Sequence, residues 1–302
     1  MSTTGAPATV ETVQAGLAEH GYLADEGLAT AIFLALTLHR PLLLEGDAGV
    51  GKTEVAKVLA VLTGGELLRL QCYEGIDISQ AAYEWDYSRQ LLHLRAAEAR
   101  GDAGEHVEDE LYSHRFPVLR PLSRSIDHRE GPPPVLLIDE VDRADDEFEA
   151  FLLEILADNA VTVPELGTFR AEAPPVVVLT SNRTRDVHDA LKRRCLYHWV
   201  EHPGFDREVA IVRLRAPEVV EGLARQVAAA VEALRGMELF KPPGVAETID
   251  WAQALGALGR SSLDARWVDA TLGSVLKYRE DQERVRSGGL DALVESAIAR
   301  AR

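Results

Sequence analysis

The sequence predicts an α/β domain in which helices cover both faces of a parallel sheet, followed by a smaller domain made only of helices. Short apolar runs at residues 42–44 and 135–138 are unbroken, as is typical of parallel strands buried on both faces. A glycine-rich loop, residues 46–53, separates the first run from a stretch with helical periodicity. After Pro203 and Gly204 the apolar residues recur only at helical spacing.

Length and composition agree with two folded domains. The chain has 302 residues, more than one average domain, and its 46% hydrophobic and 27% charged residues are ordinary for a globular protein. We place the α/β domain at residues 1–204 and the helical domain at residues 205–302.

The charge balance argues against one class of partner. The 32 basic and 49 acidic residues leave a formal net charge of −17, which repels the phosphate backbone of nucleic acids. No window reaches the roughly 18–20 apolar residues of a membrane span, and the start of the chain lacks the pattern of a secretory signal. We therefore expect a cytoplasmic protein that binds no nucleic acid and has no membrane span.

The predicted sheet has five strands, at residues 42–44, 67–70, 135–138, 176–180 and 196–200. The second and third of these are predicted to be fully buried. Residues 159–175 contain two short extended pieces around Leu166 and Gly167, which indicates a hairpin before the fourth strand.

A longer stretch, about residues 75–131, is predicted to be an insertion on the surface of the domain. It contains a helical segment at residues 88–99 and an acidic portion at residues 105–110, which is typical of a solvated loop. Three aromatic residues alternate near its start, a pattern that fits half-buried strand packing or a contact with a client: Tyr83, Trp85 and Tyr87.

Cysteine and histidine residues do not form a metal-binding pattern. Cys72 and Cys195 are far apart and lack a CxxC partner, so we interpret both as reduced core residues. His198 and His202 are four residues apart, but Pro203 and the extended run before them argue against one helical face. We therefore expect neither a zinc site nor a disulfide framework.

The glycine-rich loop fits a phosphate-binding loop, in which glycines let backbone N–H groups curl around phosphate oxygens at a helix N-terminus. Lys52 would reach the outer phosphates, and Thr53 would hold Mg²⁺ through its hydroxyl. The candidate nucleotide-binding residues are Gly46, Asp47, Ala48, Gly49, Val50, Gly51, Lys52, Thr53, Glu54 and Asp139.

Three polar residues follow two of the predicted strands. Asp139 is expected to support the metal, because its strand delivers it to the carboxyl end of the sheet, where ligands of open α/β folds bind. Glu140 could polarise a water for attack on the outer phosphate. Asn182 is a neutral amide suited to orienting that water. The alternatives are a solvated acidic turn and a turn-forming asparagine.

A basic cluster, Lys192, Arg193 and Arg194, precedes the last predicted strand. An arginine can stabilise the charge of a phosphoryl-transfer transition state in its own subunit or in a neighbouring one. A basic cluster at a helix C-terminus can also simply complement the helix dipole. We expect one of the two arginines, Arg193 or Arg194, to act as an arginine finger.

In their order and spacing, these motifs resemble the AAA+ ATPases, and specifically the MoxR branch, over almost the whole chain. Residues 46–53 resemble the Walker A motif, residues 135–140 the Walker B motif, and Asn182 the sensor 1 residue. Arg193 or Arg194 resembles the arginine finger, and the predicted hairpin lies where this branch carries one before sensor 1. The resemblance implies an AAA+ sheet flanked by helices and a small helical lid domain.

Within that branch, the CoxD-like subgroup is similar to this chain at residues 71–75, 83–85, 90–92, 180–185 and 191–197. Its members are typically encoded beside molybdenum hydroxylases of the carbon monoxide dehydrogenase type. The resemblance implies a hexameric ring that hydrolyses ATP between subunits with Mg²⁺. It also implies work with a protein bearing a von Willebrand factor A domain, as a chaperone-like factor that assists metallocentre maturation in a client enzyme.

One motif of the family has no clear counterpart, because either Arg260 or Arg266 could be the sensor 2 arginine that contacts the γ-phosphate. Three other functions stay open: a nucleic-acid motor of a related clade, a small-molecule kinase or GTP switch, and a nucleotide-gated scaffold with slow turnover. A motor would carry a basic stripe on the hairpin, where the charges are mixed: Glu165, Arg170 and Glu172.

Overall fold

The computed structural model describes residues 9–100, 110–113, 115–163 and 166–302. Backbone packing divides these residues into two units. The first unit contains the described residues of Met1–Gly16, Asp25–Glu45 and Thr53–Trp199, and the second contains Leu17–Ala24, Gly46–Lys52 and Val200–Arg302. The glycine-rich loop is thus assigned to the same unit as the C-terminal residues. The domain boundary after residue 204 stays a prediction.

The first unit is built on a five-stranded parallel sheet. Its strands are β1 (Leu42–Glu45), β2 (Leu67–Gln71), β5 (Val135–Asp139), β8 (Val176–Ser181) and β9 (Leu196–Trp199). They lie in the order β2-β5-β8-β1-β9, and every neighbouring pair is parallel. Two smaller sheets each contain two strands.

The middle of the sheet is buried. All residues of β1 and β5 are buried, and β8 is buried after its first residue. Burial on both faces requires that apolar side chains point both ways along a strand, so the runs at residues 42–44 and 135–138 are unbroken. The predicted parallel sheet flanked by helices, with a helical region after it, is confirmed.

The prediction that β2 is fully buried is wrong. This strand lies at the edge of the sheet, beside β5 alone. Leu68 and Leu70 are buried, whereas Arg69 is exposed and Gln71 is half-buried. An edge strand has a neighbour on one side only, so one of its faces can stay open to solvent, and the long polar side chains of Arg69 and Gln71 share that face.

Helices of the first part of the chain surround these strands. They are α1 (Val10–Glu19), α2 (Glu26–Leu38), α3 (Lys52–Thr63), α4 (Ile78–Ala81), α5 (Tyr87–Arg100), α6 (Pro121–Ile126), α7 (Asp146–Asp158) and α8 (Asp189–Arg194). Aspartates cap several of them: Asp25 accepts from Leu28 N at the start of α2 and Asp145 from Phe148 N at the start of α7, each at 2.8 Å, and Asp77 accepts from Gln80 N at 3.1 Å at the start of α4.

The insertion contains a small antiparallel sheet, β3 (Tyr83–Trp85) with β4 (Pro117–Leu119). Tyr83 and Trp85 are half-buried in β3, as strand packing requires. Tyr87 does not continue this pattern, since it begins α5 and is 71% exposed. Most of the predicted acidic portion, residues 105–109, lies outside the described residues.

The predicted hairpin is present. Strands β6 (Ala160–Val163) and β7 (Gly167–Arg170) pair antiparallel, with Val163 opposite Gly167. Leu166 N donates to Val163 O at 3.0 Å in the turn, and Gly167 has a φ of 86°, a conformation that favours glycine. Glu165 lies outside the described residues.

The C-terminal part of the second unit contains six helices: α9 (Phe205–Arg215), α10 (Glu221–Arg235), α11 (Val245–Ala257), α12 (Ala265–Val275), α13 (Arg279–Gly288) and α14 (Leu290–Ala301). Their apolar stripes form one core around Leu223, Val227, Leu234 and Trp251. Within the described part of the chain, no helix is long and apolar enough to cross a membrane.

Candidate functional site

The glycine-rich loop follows β1 directly and leads into α3. Gly46, Gly49 and Gly51 have φ angles of 155°, 82° and 96°, a region that glycine enters far more readily than other residues. A Cβ at Gly46 would also overlap the carbonyl oxygen of Val200. The glycines therefore give the chain a curvature that larger residues at these positions would strain.

The side chain of Lys52, at the end of the loop, is hydrogen-bonded to backbone carbonyl oxygens at the start of the loop. Its Nζ donates to the carbonyl oxygens of Gly46 and Asp47, each at 2.7 Å, and the residue is only 6% exposed. A buried ammonium needs such acceptors. The same positive charge, at the start of α3, is the one that the sequence places against the outer phosphates.

The first turn of α11 contacts the loop within the second unit. The carbonyl oxygen of Gly49 accepts from Val245 N at 3.0 Å and from Ala246 N at 3.3 Å. Glu247 caps the same turn, because its Oε2 accepts from Gly244 N at 3.0 Å. These bonds fix the direction of the Gly49 carbonyl. The N–H of Val50 belongs to the same trans peptide and therefore points the opposite way.

On the first unit, Asp139 is a buried carboxylate with four hydrogen bonds. Its Oδ1 accepts from Thr53 Oγ1 at 3.0 Å and from Thr180 Oγ1 at 2.6 Å. Its Oδ2 accepts from Arg69 Nε at 3.1 Å and Arg69 Nη2 at 2.6 Å. The structure thus brings Thr53 and Asp139, the two predicted metal-supporting residues, into direct contact.

Glu140 follows Asp139 in a left-handed conformation, with φ 55° and ψ 51°. Its Oε1 accepts from Asn182 Nδ2 at 3.2 Å, and its Oε2 accepts from Gln71 Nε2 at 3.1 Å. Arg143 forms an ion pair with the same carboxylate at 3.0 Å. Unlike Asp139, the Glu140 side chain is 28% exposed, so it can meet a water molecule.

A second acidic residue, Asp142, orients the segment after β8. It is 1% exposed, and its Oδ1 accepts from Asn182 N at 3.2 Å. Its Oδ2 accepts from Thr184 N at 2.8 Å and Thr184 Oγ1 at 2.7 Å. Asp142 therefore holds the backbone that carries the Asn182 amide.

Three carboxylates, those of Asp139, Glu140 and Asp142, lie at this end of the sheet, and arginines pair with the first two. Burial raises the pKa of the Cys72 thiol to about 12, and the charges of Asp139, Asp142, Glu149 and Glu140 contribute to this rise in that order. The residues present fit Mg²⁺, which prefers a hydroxyl, a carboxylate and several waters over nitrogen or sulfur ligands. The described residues contain no group of three or more histidine, cysteine, aspartate or glutamate side chains that could hold a metal alone.

The two candidate finger residues end α8, and both are exposed. Arg194 Nη1 donates to the carbonyl oxygen of Leu153 at 2.5 Å. Within the described part of the chain, the Arg193 guanidinium has no hydrogen bond or ion pair, whereas its carbonyl accepts from Arg40 Nη2 at 3.0 Å. Arg193 can therefore reach outward without breaking a contact.

The two sensor 2 candidates, Arg260 and Arg266, both contact the indole ring of Trp267. The guanidinium of Arg260 is 5.0 Å from the centroid of the Trp267 ring, and that of Arg266 is 5.3 Å from it. Arg260 also donates to Leu258 O at 3.0 Å. Both arginines therefore have the same aromatic partner, and Arg260 has a backbone acceptor in addition.

Sequence reasoning missed four residues that hold the predicted ones in place: Arg69, Gln71, Asp142 and Thr180. One signal was available, since Arg69 and Gln71 alternate with leucines along a strand and so share one face. The side chains that contact Arg69 and Gln71 on that face depend on which strand lies beside β2.

A glycine-rich loop after one parallel strand and a pair of carboxylates after another define a P-loop nucleotide-binding protein with an AAA+ α/β fold and a C-terminal helical region. Residues 41–195, about half of the chain, match the family model described as AAA domain (dynein-related subfamily), and the chain belongs to this family. The family supports ATP binding and ATP hydrolysis as the general activity.

Proposed function

We propose that the protein is a Mg²⁺-dependent ATPase of the MoxR type that works as an oligomeric ring, expected to be a hexamer, and remodels a partner protein. The observation that carries the proposal is the arrangement at the end of β5. There Asp139 contacts Thr53, and Glu140 contacts Asn182. One carboxylate is thus next to a metal-binding hydroxyl, and the other is next to a neutral amide.

In this mechanism Lys52 and the N–H groups of the loop would bind the phosphates, and Thr53 with Asp139 would hold the metal. Bound Mg²⁺ would supply a Lewis acid that neutralises charge on the phosphates. Glu140 accepts a proton from the attacking water, and its partial exposure lets that water approach. The Asn182 amide keeps the carboxylate in position and adds no charge.

An arginine of a neighbouring subunit completes the site. The two candidates differ in availability, since Arg193 is unengaged among the described residues whereas Arg194 would first release the Leu153 carbonyl. A finger in trans makes hydrolysis depend on assembly. This dependence separates the ring mechanism from a monomeric kinase or switch.

The client is proposed from the resemblance to the CoxD-like subgroup. It is a metalloenzyme of the molybdenum hydroxylase class, and a protein with a von Willebrand factor A domain links the ring to it. A net charge of −17 supports a protein rather than a nucleic acid as the partner.

The test is ATP hydrolysis as a function of protein concentration, with and without Mg²⁺, together with native mass by light scattering. We expect specific activity to rise with concentration, and Glu140→Gln to lose about 10²- to 10⁴-fold in turnover while still binding ATP. Monomeric protein with concentration-independent turnover, or full activity of Glu140→Gln, would refute the ring mechanism.

A mixing experiment identifies the finger. Arg193→Ala and Arg194→Ala are each mixed with Glu140→Gln, which keeps its own arginines. A finger variant regains activity in the mixture, because its intact Glu140 meets an arginine of the other subunit. A variant that is merely misfolded regains none.

A further inference from the structure

We propose that Arg69 is a built-in counter-cation for Asp139, which keeps free divalent metal away from this carboxylate until a nucleotide brings the metal in. The inference rests on the proposed function, because it concerns the metal site of the same ATPase. It concerns a residue that no motif of the chain includes.

The position of Arg69 allows this role. It lies on the edge strand β2, two residues before Gln71, which is opposite Asp139 in the register of β2 and β5. The Arg69 side chain is 52% exposed, whereas that of Asp139 is 4% exposed. The guanidinium therefore reaches from the open edge of the sheet to a buried carboxylate.

Arg69 completes the hydrogen bonding of Asp139. A carboxylate offers about four lone-pair sites. The hydroxyls of Thr53 and Thr180 donate to the two lone-pair sites of Oδ1. Arg69 donates to the two lone-pair sites of Oδ2, through Nε at 3.1 Å and Nη2 at 2.6 Å. A metal ion, or a water bound to it, finds no free lone pair on Asp139 while this arrangement persists.

The charges explain why such a cation is needed. Asp139 shares a small volume with Glu140 and Asp142, and burial of an unpaired carboxylate is costly. Arg143 pairs with Glu140, so Arg69 is the basic side chain that pairs with Asp139 among the described residues. Without Arg69, the same negative corner would attract a divalent cation.

The pair is also able to open. Half of the Arg69 side chain is in solvent, so the guanidinium regains water when it leaves Asp139. Its Nη2 also donates to Gln71 Oε1 at 2.6 Å, and this hydrogen bond can persist when the guanidinium leaves Asp139. A nucleotide-bound metal carries less positive charge than free metal, so its advantage is the binding free energy of the nucleotide, which offsets the cost of opening the pair.

Direct metal binding to the nucleotide-free protein tests the inference. Mn²⁺ is titrated into the full chain and free Mn²⁺ is measured by its electron paramagnetic resonance signal. We expect Arg69→Met to bind Mn²⁺ at least about tenfold more tightly than the wild type, because the Oδ2 lone pairs are released. Arg69→Lys, which keeps the charge, is expected to stay near the wild type.

Matched variants assign the gain in affinity to the pair of Arg69 with Asp139. Arg124→Met breaks a comparable ion pair with Glu66 at 2.6 Å, where both side chains are exposed, and should bind Mn²⁺ as the wild type does. The double variant Arg69→Met with Asp139→Asn should lose the gained affinity. If Arg69→Met does not fold, Arg69→Gln removes the charge and keeps two donors, and it should still tighten Mn²⁺ binding.

Unchanged Mn²⁺ affinity in the folded, uncharged variants at position 69 would overturn the inference. ATP binding of the wild type with Mg²⁺ is measured in parallel. If the wild type binds no ATP, the proposed function fails. If it binds ATP normally and the variants leave Mn²⁺ affinity unchanged, only the role of Arg69 fails.

Discussion

Thr180 connects the Asp139 carboxylate with the backbone of Glu140 at the end of β5. Its hydroxyl donates to Asp139 Oδ1 at 2.6 Å and accepts from Glu140 N at 2.9 Å. One small side chain therefore fixes both the direction of a buried carboxylate and the backbone of the next residue.

Thr180→Val should be destabilising, because valine has the same shape but neither donates nor accepts. We expect a loss of about 1–3 kcal/mol in the free energy of unfolding, since a buried acceptor loses a partner, and a lower rate of ATP hydrolysis. Urea unfolding measures the first and a phosphate-release assay the second. Thr162→Val, on the exposed hairpin, is the matched control and should change neither. Equal unfolding midpoints for the two variants would contradict the argument.

The two cysteines should be unreactive in the folded protein. Burial raises the pKa of Cys72 and of Cys195 to about 12 in each case, so both thiols stay protonated at pH 8. Only the thiolate reacts, and a pKa raised from 9.0 to about 12 reduces its population about 10³-fold.

Mass spectrometry after iodoacetamide treatment checks this expectation. Native protein at pH 8 should remain unmodified over a period in which the protein in guanidinium chloride takes up two labels. Rapid labelling of the native chain at either site would mean that the local structure opens.

At the scale of elements, the first turn of α11 and the glycine loop are coupled through one peptide. The Gly49 carbonyl accepts from two N–H groups of α11, and Gly244 permits the approach. A Cβ on Gly244 would lie 2.8 Å from Ala48 O and 2.9 Å from Gly49 C, closer than a side chain tolerates. The orientation of the Gly49–Val50 peptide therefore depends on a helix about 200 residues further along the chain, as the numbering shows.

Gly244→Ala should weaken nucleotide binding without unfolding the protein. The added methyl group displaces the loop backbone, so we expect at least about a tenfold rise in the Kd for ATP, from the loss of aligned N–H donors. Fluorescence titration with a labelled nucleotide measures it. Gly222→Ala, where a Cβ meets nothing within 4 Å, is the control. An unchanged Kd for Gly244→Ala would show that the loop does not depend on α11.

At the scale of the whole molecule, the charge distinguishes the remaining functions. The formal net charge is −17, and the described part of the hairpin carries no basic stripe, with Arg170 bonded to the carbonyl of Asp158. A nucleic-acid motor has to neutralise phosphates with cationic side chains. This protein has an excess of the opposite charge.

ATP hydrolysis should therefore be insensitive to nucleic acid. We expect no change in turnover when single- or double-stranded DNA or RNA is added at about 50 mM salt, where electrostatic binding is strong. Filter binding under the same conditions provides an independent readout. Stimulation that weakens with rising salt would revive the motor interpretation.

The sequence alone determined the local motifs of this protein. Contiguous residues contain four of its features: the glycine loop, the paired carboxylates after an apolar run, the helical stripes and the order of the strands along the chain. Each follows from backbone geometry or from periodic burial. For this reason the fold class and the five strands agree with what the sequence predicts, whereas the roles of the site residues stay predictions.

Only the tertiary structure decided which side chains hold those motifs. Arg69 reaches Asp139 across 70 positions of sequence, and Asn182 meets Asp142 across 40. Both contacts exist because β2 lies at the edge beside β5, and β8 lies on the other side of β5. Strand order results from the packing of the whole sheet, and no local run of residues contains it. For the same reason β2, which its leucines indicated to be a buried strand, is an edge strand that brings the Arg69 guanidinium to the Asp139 carboxylate.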